Sequence, residues 1–244
     1  MREYFDLTLI IPDTPDIERD AVATAWSMRG GDVLRLARFW EPPILAPEKA
    51  RVYGNDTFCL VVADKLGLQL LSPPDDLVLH VPATLLRRQV ALTSIGEVLG
   101  SDFPLFVKPV MPKQFAARVY RLPSELEHET RGLSPETAVI RSEVVRFDAE
   151  CRAFILDGQV VASSVYEGAA DVPSEFLSEI ATQLPLPSTC VVDAGFVSGS
   201  GWAFLEANAS WGAGLNGCDA SLVLPCIERA TGQQFNRRHD LTLM

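Results

Sequence analysis

Two polar side chains interrupt an apolar strand in the stretch FLEANASWGAGLNGCD, residues 204–219. Glu206 and Asn208 are two residues apart, so on a β-strand both point to the same face of the sheet. The residues after Asn208 are mostly small, and small residues let the main chain approach a ligand closely. A carboxylate and a carboxamide beside such a loop indicate a binding site.

A predicted β-hairpin adds a second carboxylate to this pair. The strands VVDAGFV and WAFLEANAS flank the turn SGSG, and a turn centred on Gly199 and Ser200 places Asp193 directly opposite Glu206. Like charges in that position destabilise a sheet, and burial increases the cost. A divalent cation would compensate, and oxygen ligands of this kind suit Mg²⁺. Two alternatives stay open: the carboxyl groups share a proton, or the register slips by one residue.

Another hairpin is predicted at Asp157 and Gly158, between the strands ECRAFIL and QVVASSVY. Glu150, Arg152 and Phe154 fall on one face of the first strand. Taken alone, the two charges are typical of an ion pair on a solvated face of a sheet.

The order of predicted elements divides the chain into two parts. Residues 1–84 alternate strands and helices as β-α-β-α-β, which indicates a small α/β domain. The stretch VPATLLRRQVALTSIGEVLG predicts one helix that begins just after Pro82. Residues 85–244 are otherwise rich in strands, with helices predicted over 173–185 and near the C-terminal end. The expected fold class is therefore α+β.

Charge and cysteine content limit the possible partners. The net charge of −11 lowers the expectation of a nucleic-acid substrate, because such binding relies on a basic surface. No apolar run reaches the roughly 18 residues of a membrane span, and the N-terminus lacks the features of a signal peptide. The cysteines are odd in number, scattered and without a C-x-x-C pair, which indicates reduced thiols in the cytoplasm. They are Cys59, Cys151, Cys190, Cys218 and Cys226.

Taken in order, several short segments resemble the ATP-grasp fold, the nucleotide-binding fold of ligases that join a carboxylate to an amine or thiol. The segments are FVKP (106–109), SEVV (142–145), ECR (150–152), VVDAG (191–195) and FLEANAS (204–210). The pattern is most similar to the branch of glutathione synthetase and the ribosomal-protein glutamate ligase. The resemblance implies an ATP-grasp domain over 85–244, with a short lid at about 105–140, preceded by the small α/β domain.

The resemblance also implies the residues that bind ATP. Lys108 is similar to the lysine that contacts the α- and β-phosphates. Lys113 corresponds to a second phosphate lysine, in a region where the family often has a glycine-rich loop that this sequence lacks. The hinge strand would bind adenine through the backbone of Val144 and Val145, with Glu143 facing the adenine amino group. A further acid, Glu150, matches the one that binds the ribose hydroxyls.

The remaining residues of the pattern would carry the metal and the reaction. Asp193, Glu206 and Asn208 match the Mg²⁺ ligands of the family. Arg152 is placed to reach a phosphate or the acyl-phosphate intermediate, and Lys108 is expected to assist the phosphoryl transfer. The small residues of 209–214 would form a wall of the acceptor pocket.

The implied activity is that of an ATP- and Mg²⁺-dependent ligase. It would activate a carboxylate of a small molecule or peptide as an acyl phosphate, which an amine or similar nucleophile then attacks. The alternative is an ATP-dependent RNA or nucleic-acid repair ligase, because a compact ATP-grasp clade with similar features has members proposed for that role. A non-catalytic nucleotide-binding module and a glycosidase are weaker alternatives. We expect no membrane partner and a possible homodimer.

Overall fold

The small N-terminal domain is built on a parallel sheet of order β2-β1-β3. The structure is a computed structural model that describes residues 3–233. Here the elements are β1 Thr8–Pro12, α1 Ile17–Met28, β2 Asp32–Leu36, β3 Ala50–Val52, α2 Asp56–Leu66 and β4 Leu68–Leu70. Asp16 and Asn55 are the N-caps of the two helices, since their side chains accept hydrogen bonds from the third following backbone N–H. The short strand β3 follows the proline-rich stretch EPPILAPEK (41–49) and was not predicted.

A second, antiparallel sheet has the order β5-β8-β6-β7. Most of it falls in the range predicted for the lid, so we call this part of the chain the lid. The elements of this part are α3 Ala83–Leu86, β5 Val90–Ser94, α4 Ile95–Leu99, β6 Leu105–Pro109, β7 Arg118–Tyr120, α5 Pro123–Glu129 and β8 Ala138–Ser142. The single helix predicted after Pro82 is therefore wrong. Arg87 ends α3 with a left-handed φ of 49°, and Ser94 and Glu97 form a capping box that starts α4. The β-forming residues between them pair with β8 instead.

The third sheet carries the predicted metal residues and has the order β10-β9-β11-β12. This part contains β9 Ala149–Leu156, β10 Gln159–Gly168, α6 Ser174–Gln183, β11 Thr189–Val197, β12 Gly201–Asn208, α7 Ala220–Arg229 and β13 Thr231–Gln233. Asp157 and Gly158 join β9 to β10 with φ of 47° and 76°, which confirms the predicted two-residue turn. Strand β13 pairs with β4 of the N-terminal domain.

Each face of this third sheet packs against a different part of the molecule. Phe154 and Val191 point to the N-terminal side, into a core with Trp26 of α1 and Val223 of α7. The opposite face contributes Ile155, Val192 and Phe204 to a core that includes α6 and Ile140 of the lid. The residues on the first face are therefore held between the sheet and the N-terminal domain. Helices and several sheets combine as the predicted α+β class.

In residues 3–233, no helix is both long enough and apolar enough to cross a membrane.

Candidate active site

A buried ion pair lies at the centre of the third sheet. Asp193 on β11 is directly opposite Arg152 on β9 and opposite Glu206 on β12. Arg152 donates from Nε to Oδ1 of Asp193 at 2.8 Å and from Nη2 to Oδ2 at 2.7 Å. The two side chains are 11% and 3% exposed. The charge of Asp193 is therefore compensated by the protein itself, which the hairpin argument had missed because it considered only one of the two neighbouring strands.

The other two predicted metal residues join this pair. Asn208 donates from Nδ2 to Oε1 of Glu206 at 2.9 Å and lies 3.5 Å from Oδ2 of Asp193. Glu206 is exposed and has no cationic side chain within 4 Å in the described part of the chain. Arg152, Asp193, Glu206 and Asn208 thus form one hydrogen-bonded group, which we call the central cluster.

Electrostatic contacts fix Arg152 in its charged form. Burial by itself would lower the pKa of Arg152, but the hydrogen bonds and the charge of Asp193 raise it above its usual value. Its third nitrogen, Nη1, donates to the backbone carbonyl of Gly214 at 2.9 Å. Arg152 therefore links the sheet to the loop that follows Asn208.

Glu150, the predicted ribose ligand, lies beside the central cluster. It accepts a hydrogen bond of 2.7 Å from the hydroxyl of Tyr166. Burial and this hydrogen bond to Glu150 raise the pKa of Tyr166, so its phenol stays protonated and remains a donor. Arg152 lies 6.0 Å from the centre of the Tyr166 ring. Tyr166 is thus a neighbour of the site that the sequence patterns did not identify.

The N-terminal domain holds the loop of small residues in place. Tyr53 donates from its hydroxyl to the carbonyl of Ala213 at 2.9 Å. The Glu18 carboxylate accepts from the backbone N–H groups of Leu215 at 2.9 Å and Asn216 at 2.7 Å. A Cβ on Gly214 would lie 2.5 Å from Oε2 of Glu18, so a larger residue there would displace the Glu18 carboxylate.

Cavities open on both sides of this loop. One, of about 250 Å³, lies between Arg152, Asn208 and Asp56. Another, of about 190 Å³, lies on the side of Glu18, Arg19 and Tyr53. The predicted acceptor wall therefore lies between two small cavities and is hydrogen-bonded to Tyr53 and Glu18. Sequence reasoning missed Glu18 and Asp56, which come from a distant part of the chain and form no local pattern with the loop.

Lys108 lies on the lid, apart from the central cluster. It stands opposite Ile140 in the pairing of β6 with β8 and is half-buried. Within residues 3–233 it has no hydrogen bond or ion pair. A partly buried lysine without a partner is a good candidate for binding an anion.

The predicted hinge is shorter than the sequence suggested. Strand β8 ends at Ser142, so Glu143, Val144 and Val145 are not part of a strand. The backbone N–H of Glu143 donates to the carbonyl of Gln89, and its carboxylate accepts from the backbone N–H of Gln89 at 3.1 Å. Glu143 and Val144 line a cavity of about 830 Å³. Val145 is half-buried and does not line that cavity.

Lys113 is paired with the N-terminal domain instead of the central cluster. Its Nζ lies 3.0 Å from Oδ2 of Asp56, and both side chains are more than half exposed. Its backbone has a left-handed φ of 66°, where a glycine would be more usual.

The donor set suits a hard cation that prefers oxygen ligands. Among residues 3–233, no three His, Cys, Asp or Glu side chains are arranged so that they could hold a metal ion. The central cluster offers two acids and one amide. These three side chains share one face of the sheet, and the exposed Glu206 carboxylate lacks a cationic partner there. Oxygen donors of this kind are those that Mg²⁺ accepts.

The family of the chain follows from its sequence. Residues 85–226, more than half of the chain, match the ATP-grasp domain, R2K clade family 2. The chain therefore belongs to this family, which confirms the predicted fold and, with it, the enzyme class of ATP-grasp ligase. No protein of curated function matches the sequence.

Solved structures share the fold at low sequence identity. A RimK domain ATP-grasp protein from Sphaerobacter thermophilus DSM 20745 matches with a TM-score of 0.56 and 14% identity, over 83% of this chain and 90% of that chain. D-cycloserine synthetase DcsG matches with a TM-score of 0.52 and 15% identity, over 92% and 98% of the two chains. The macrocyclase MdnC from Microcystis aeruginosa MRC, bound with precursor peptide MdnA, matches with a TM-score of 0.50 and 13% identity, over 82% and 90%.

Proposed function

We propose that this protein is an ATP- and Mg²⁺-dependent ligase that activates a carboxylate as an acyl phosphate and transfers the acyl group to an amine. The observation that carries the proposal is the central cluster, in which a guanidinium, two carboxylates and an amide converge on one face of the sheet. A protein that only binds a nucleotide would not need all four groups at one place.

Arg152 is the residue that binds the anionic reactant. Its planar guanidinium matches the two oxygens of a carboxylate or a phosphoryl group, as its contact with Asp193 illustrates. The same geometry stabilises the charge that develops on an acyl phosphate. In the absence of a reactant, Asp193 keeps the guanidinium aligned within the sheet.

Lys108 neutralises phosphate charge from the side of the lid. An ammonium group without a protein partner needs no rearrangement before it binds a phosphate oxygen. Glu150 accepts a hydrogen bond from Tyr166 and has further acceptor capacity for hydroxyl groups of the ribose. The open region near Glu143 and Val144 is large enough for a nucleobase.

Mg²⁺ would be held by Asp193, Glu206 and Asn208, and when bound it supplies charge neutralisation for the phosphates. If Asp193 is a ligand, its carboxylate would have to contact both the cation and Arg152. Glu206, which is exposed and has no cationic partner among the described residues, is the most accessible of the three ligands.

The carboxylate donor belongs to a small molecule or a peptide. The fold accommodates both kinds of chemistry, since the solved structures include a D-cycloserine synthetase and a macrocyclase bound with a precursor peptide. The cavities beside the loop, of about 250 and 190 Å³, suit a small group or a single side chain better than a folded partner.

The test is a phosphate-release screen with ATP, Mg²⁺ and pools of carboxylates, with hydroxylamine present to trap acyl phosphates as hydroxamates. We expect phosphate release that depends on the carboxylate pool, together with hydroxamate formation. ATP should also raise the melting temperature, and the increase should be larger with Mg²⁺. Phosphate release without any hydroxamate, across all pools, would contradict acyl-phosphate chemistry.

A further inference from the structure

The cavity of about 250 Å³ beside the central cluster has a carboxylate on the wall that belongs to the N-terminal domain. Arg152, Asn208 and Asp56 all line this cavity. Of its eight lining residues, all within the described part of the chain, Asp56 alone carries a carboxylate. This carboxylate comes from the first turn of α2, in a part of the sequence to which no role has been assigned.

The two oxygens of Asp56 face different surroundings. Oδ2 is 3.0 Å from Nζ of Lys113 on the lid. Oδ1 faces Gly212, since a Cβ built on that glycine would lie 3.5 Å from it. Because Gly212 has no side chain, this oxygen remains accessible from the cavity, while the other is held by the lid.

The wall that carries Asp56 is fixed relative to Arg152. The backbone N–H of Gly54 donates to the carbonyl of Trp211 at 3.1 Å, two residues before Asp56. Arg152 is bonded to Gly214 in the same loop. Asp56 and Arg152 therefore border one cavity whose shape is set by bonds from both domains.

We propose that Asp56 binds the nucleophile of the ligation as an ammonium ion and accepts its proton. The proposal rests on the proposed function, in which Arg152 binds the acyl phosphate. Amines are largely protonated near pH 7, and a protonated amine has no lone pair with which to attack. A carboxylate on the cavity that Arg152 also lines attracts an ammonium ion, whereas it would repel a thiolate.

The step transfers two protons and replaces one C–O bond with one C–N bond. The ammonium ion gives one proton to Oδ1 of Asp56, and the nitrogen lone pair then forms the C–N bond with the acyl carbon. The C–O bond to the phosphoryl group breaks, and phosphate leaves with the electron pair. The second proton of the nitrogen passes to the departing phosphate, and Asp56 releases its proton to solvent. The substrate class is therefore a cationic primary amine.

Hydroxylamine distinguishes proton removal by Asp56 from the other steps of the reaction. It is mostly neutral at pH 7.5 and can attack without first losing a proton. Hydroxamate formation would be compared with amide formation from ethylamine, glycinamide and lysine, using ATP, Mg²⁺ and the same pool of N-acetylated amino acids and dicarboxylates. For Asp56→Asn, we expect kcat/KM for the amines to fall about 100-fold. The hydroxylamine rate should stay within about threefold, because no ammonium proton has to be removed.

Two further variants serve as controls. Asp64→Asn removes the same charge from an exposed position near the other end of α2 and should change neither rate. Lys113→Met, which removes the lid partner of Asp56, should lower both rates together.

The outcomes distinguish this inference from the proposed function. Equal losses for hydroxylamine and amines in Asp56→Asn, or no loss for either, overturn the role of Asp56 while the ligase activity stands. If the wild-type protein forms neither hydroxamates nor amides, the ligase proposal fails and the role of Asp56 fails with it. An unchanged rise in melting temperature with ATP and Mg²⁺ will show that Asp56→Asn keeps its fold and nucleotide site.

Discussion

Asp193 and Glu206 lie directly opposite each other on β11 and β12, although the turn between these strands is one residue longer than a regular hairpin with that pairing would have. Val197 pairs with Gly201, so the turn contains three residues instead of two. An extra residue, Leu205, then restores the register, because Ala194 pairs with Phe204 and Asp193 with Glu206. Because of the bulge, Phe204 and Glu206 lie on opposite faces of the sheet: Phe204 points into the core with Ile155 and Val192, and Glu206 joins the central cluster.

Arg152 is expected to matter for stability as well as for catalysis. Arg152→Met leaves the Asp193 carboxylate buried without its partner, which typically costs about 3–5 kcal/mol. Asp193→Asn should also destabilise, because it leaves the Arg152 guanidinium without a charged partner. The double variant should lose clearly less than the sum of the two, and urea unfolding of all four proteins measures this coupling. Additive losses would mean that the two side chains do not interact.

Unlike Arg152, Glu206 is expected to be needed for Mg²⁺ binding but not for the stability of the fold. Glu206→Ala removes an exposed carboxylate, so the free energy of unfolding should change by less than about 1 kcal/mol. The additional rise in melting temperature that Mg²⁺ gives with ATP should disappear, and turnover should fall by about 100-fold or more. Glu175→Ala, at an exposed position on α6, is the control and should retain both. A Mg²⁺-dependent shift that survives in Glu206→Ala would exclude Glu206 as a metal ligand.

The central cluster shows how far sequence patterns reach. Alternation along β12 predicted that Glu206 and Asn208 share a face, and hairpin pairing predicted Asp193 opposite Glu206; both predictions are confirmed. The pairing of Asp193 with Arg152 could not be derived in this way, because β9 and β11 are neighbours in the sheet but separated in sequence by β10 and α6. Hairpin pairing can be predicted only for strands that are consecutive in the sequence.

The helix predicted after Pro82 is an error of a different kind, in which a local pattern predicted the wrong element. Its apolar residues are compatible with a helix, yet Val90–Ser94 forms strand β5 because β8 offers an edge to which it can pair. A local signal was present in Ser94 and Glu97, which are spaced as a capping box and mark the start of a new helix. The contacts of Glu18 and Asp56 with the loop after Asn208 had no local signal at all, since they depend on how the domains pack.

Burial of a cysteine makes the stability of the fold depend on pH in the alkaline range. Burial raises the pKa of Cys226 from 9.0 to about 12, with smaller contributions from nearby groups. The stabilisation is therefore complete below pH 9 and is lost as the pH rises towards 12, because only the unfolded chain ionises its thiol in between. Between pH 8 and pH 10, this single thiol should lower the free energy of unfolding by about 1 kcal/mol.

Comparison with Cys226→Ala isolates that contribution from other groups that titrate at high pH. Guanidinium unfolding at pH 8 and pH 10, with a reductant present, should show a loss for the wild-type protein that exceeds the loss for the variant by about 1 kcal/mol. The same pH dependence in both proteins would show that the thiol of Cys226 ionises as easily in the folded state as in the unfolded one.

Lys108 should affect ATP binding without affecting the fold. Its ammonium group has no partner within residues 3–233, so Lys108→Met leaves no buried charge unpaired and should change the free energy of unfolding by less than about 1 kcal/mol. If Lys108 binds phosphate, losing one charge-assisted hydrogen bond of about 1.5–3 kcal/mol should weaken ATP binding roughly 10- to 100-fold. Titration calorimetry with ATP and Mg²⁺ measures this, and Lys65→Met, at an exposed position on α2, is the control. An unchanged Kd in Lys108→Met would place the phosphate-binding cation elsewhere and leave the unpaired lysine of β6 without a role in nucleotide binding.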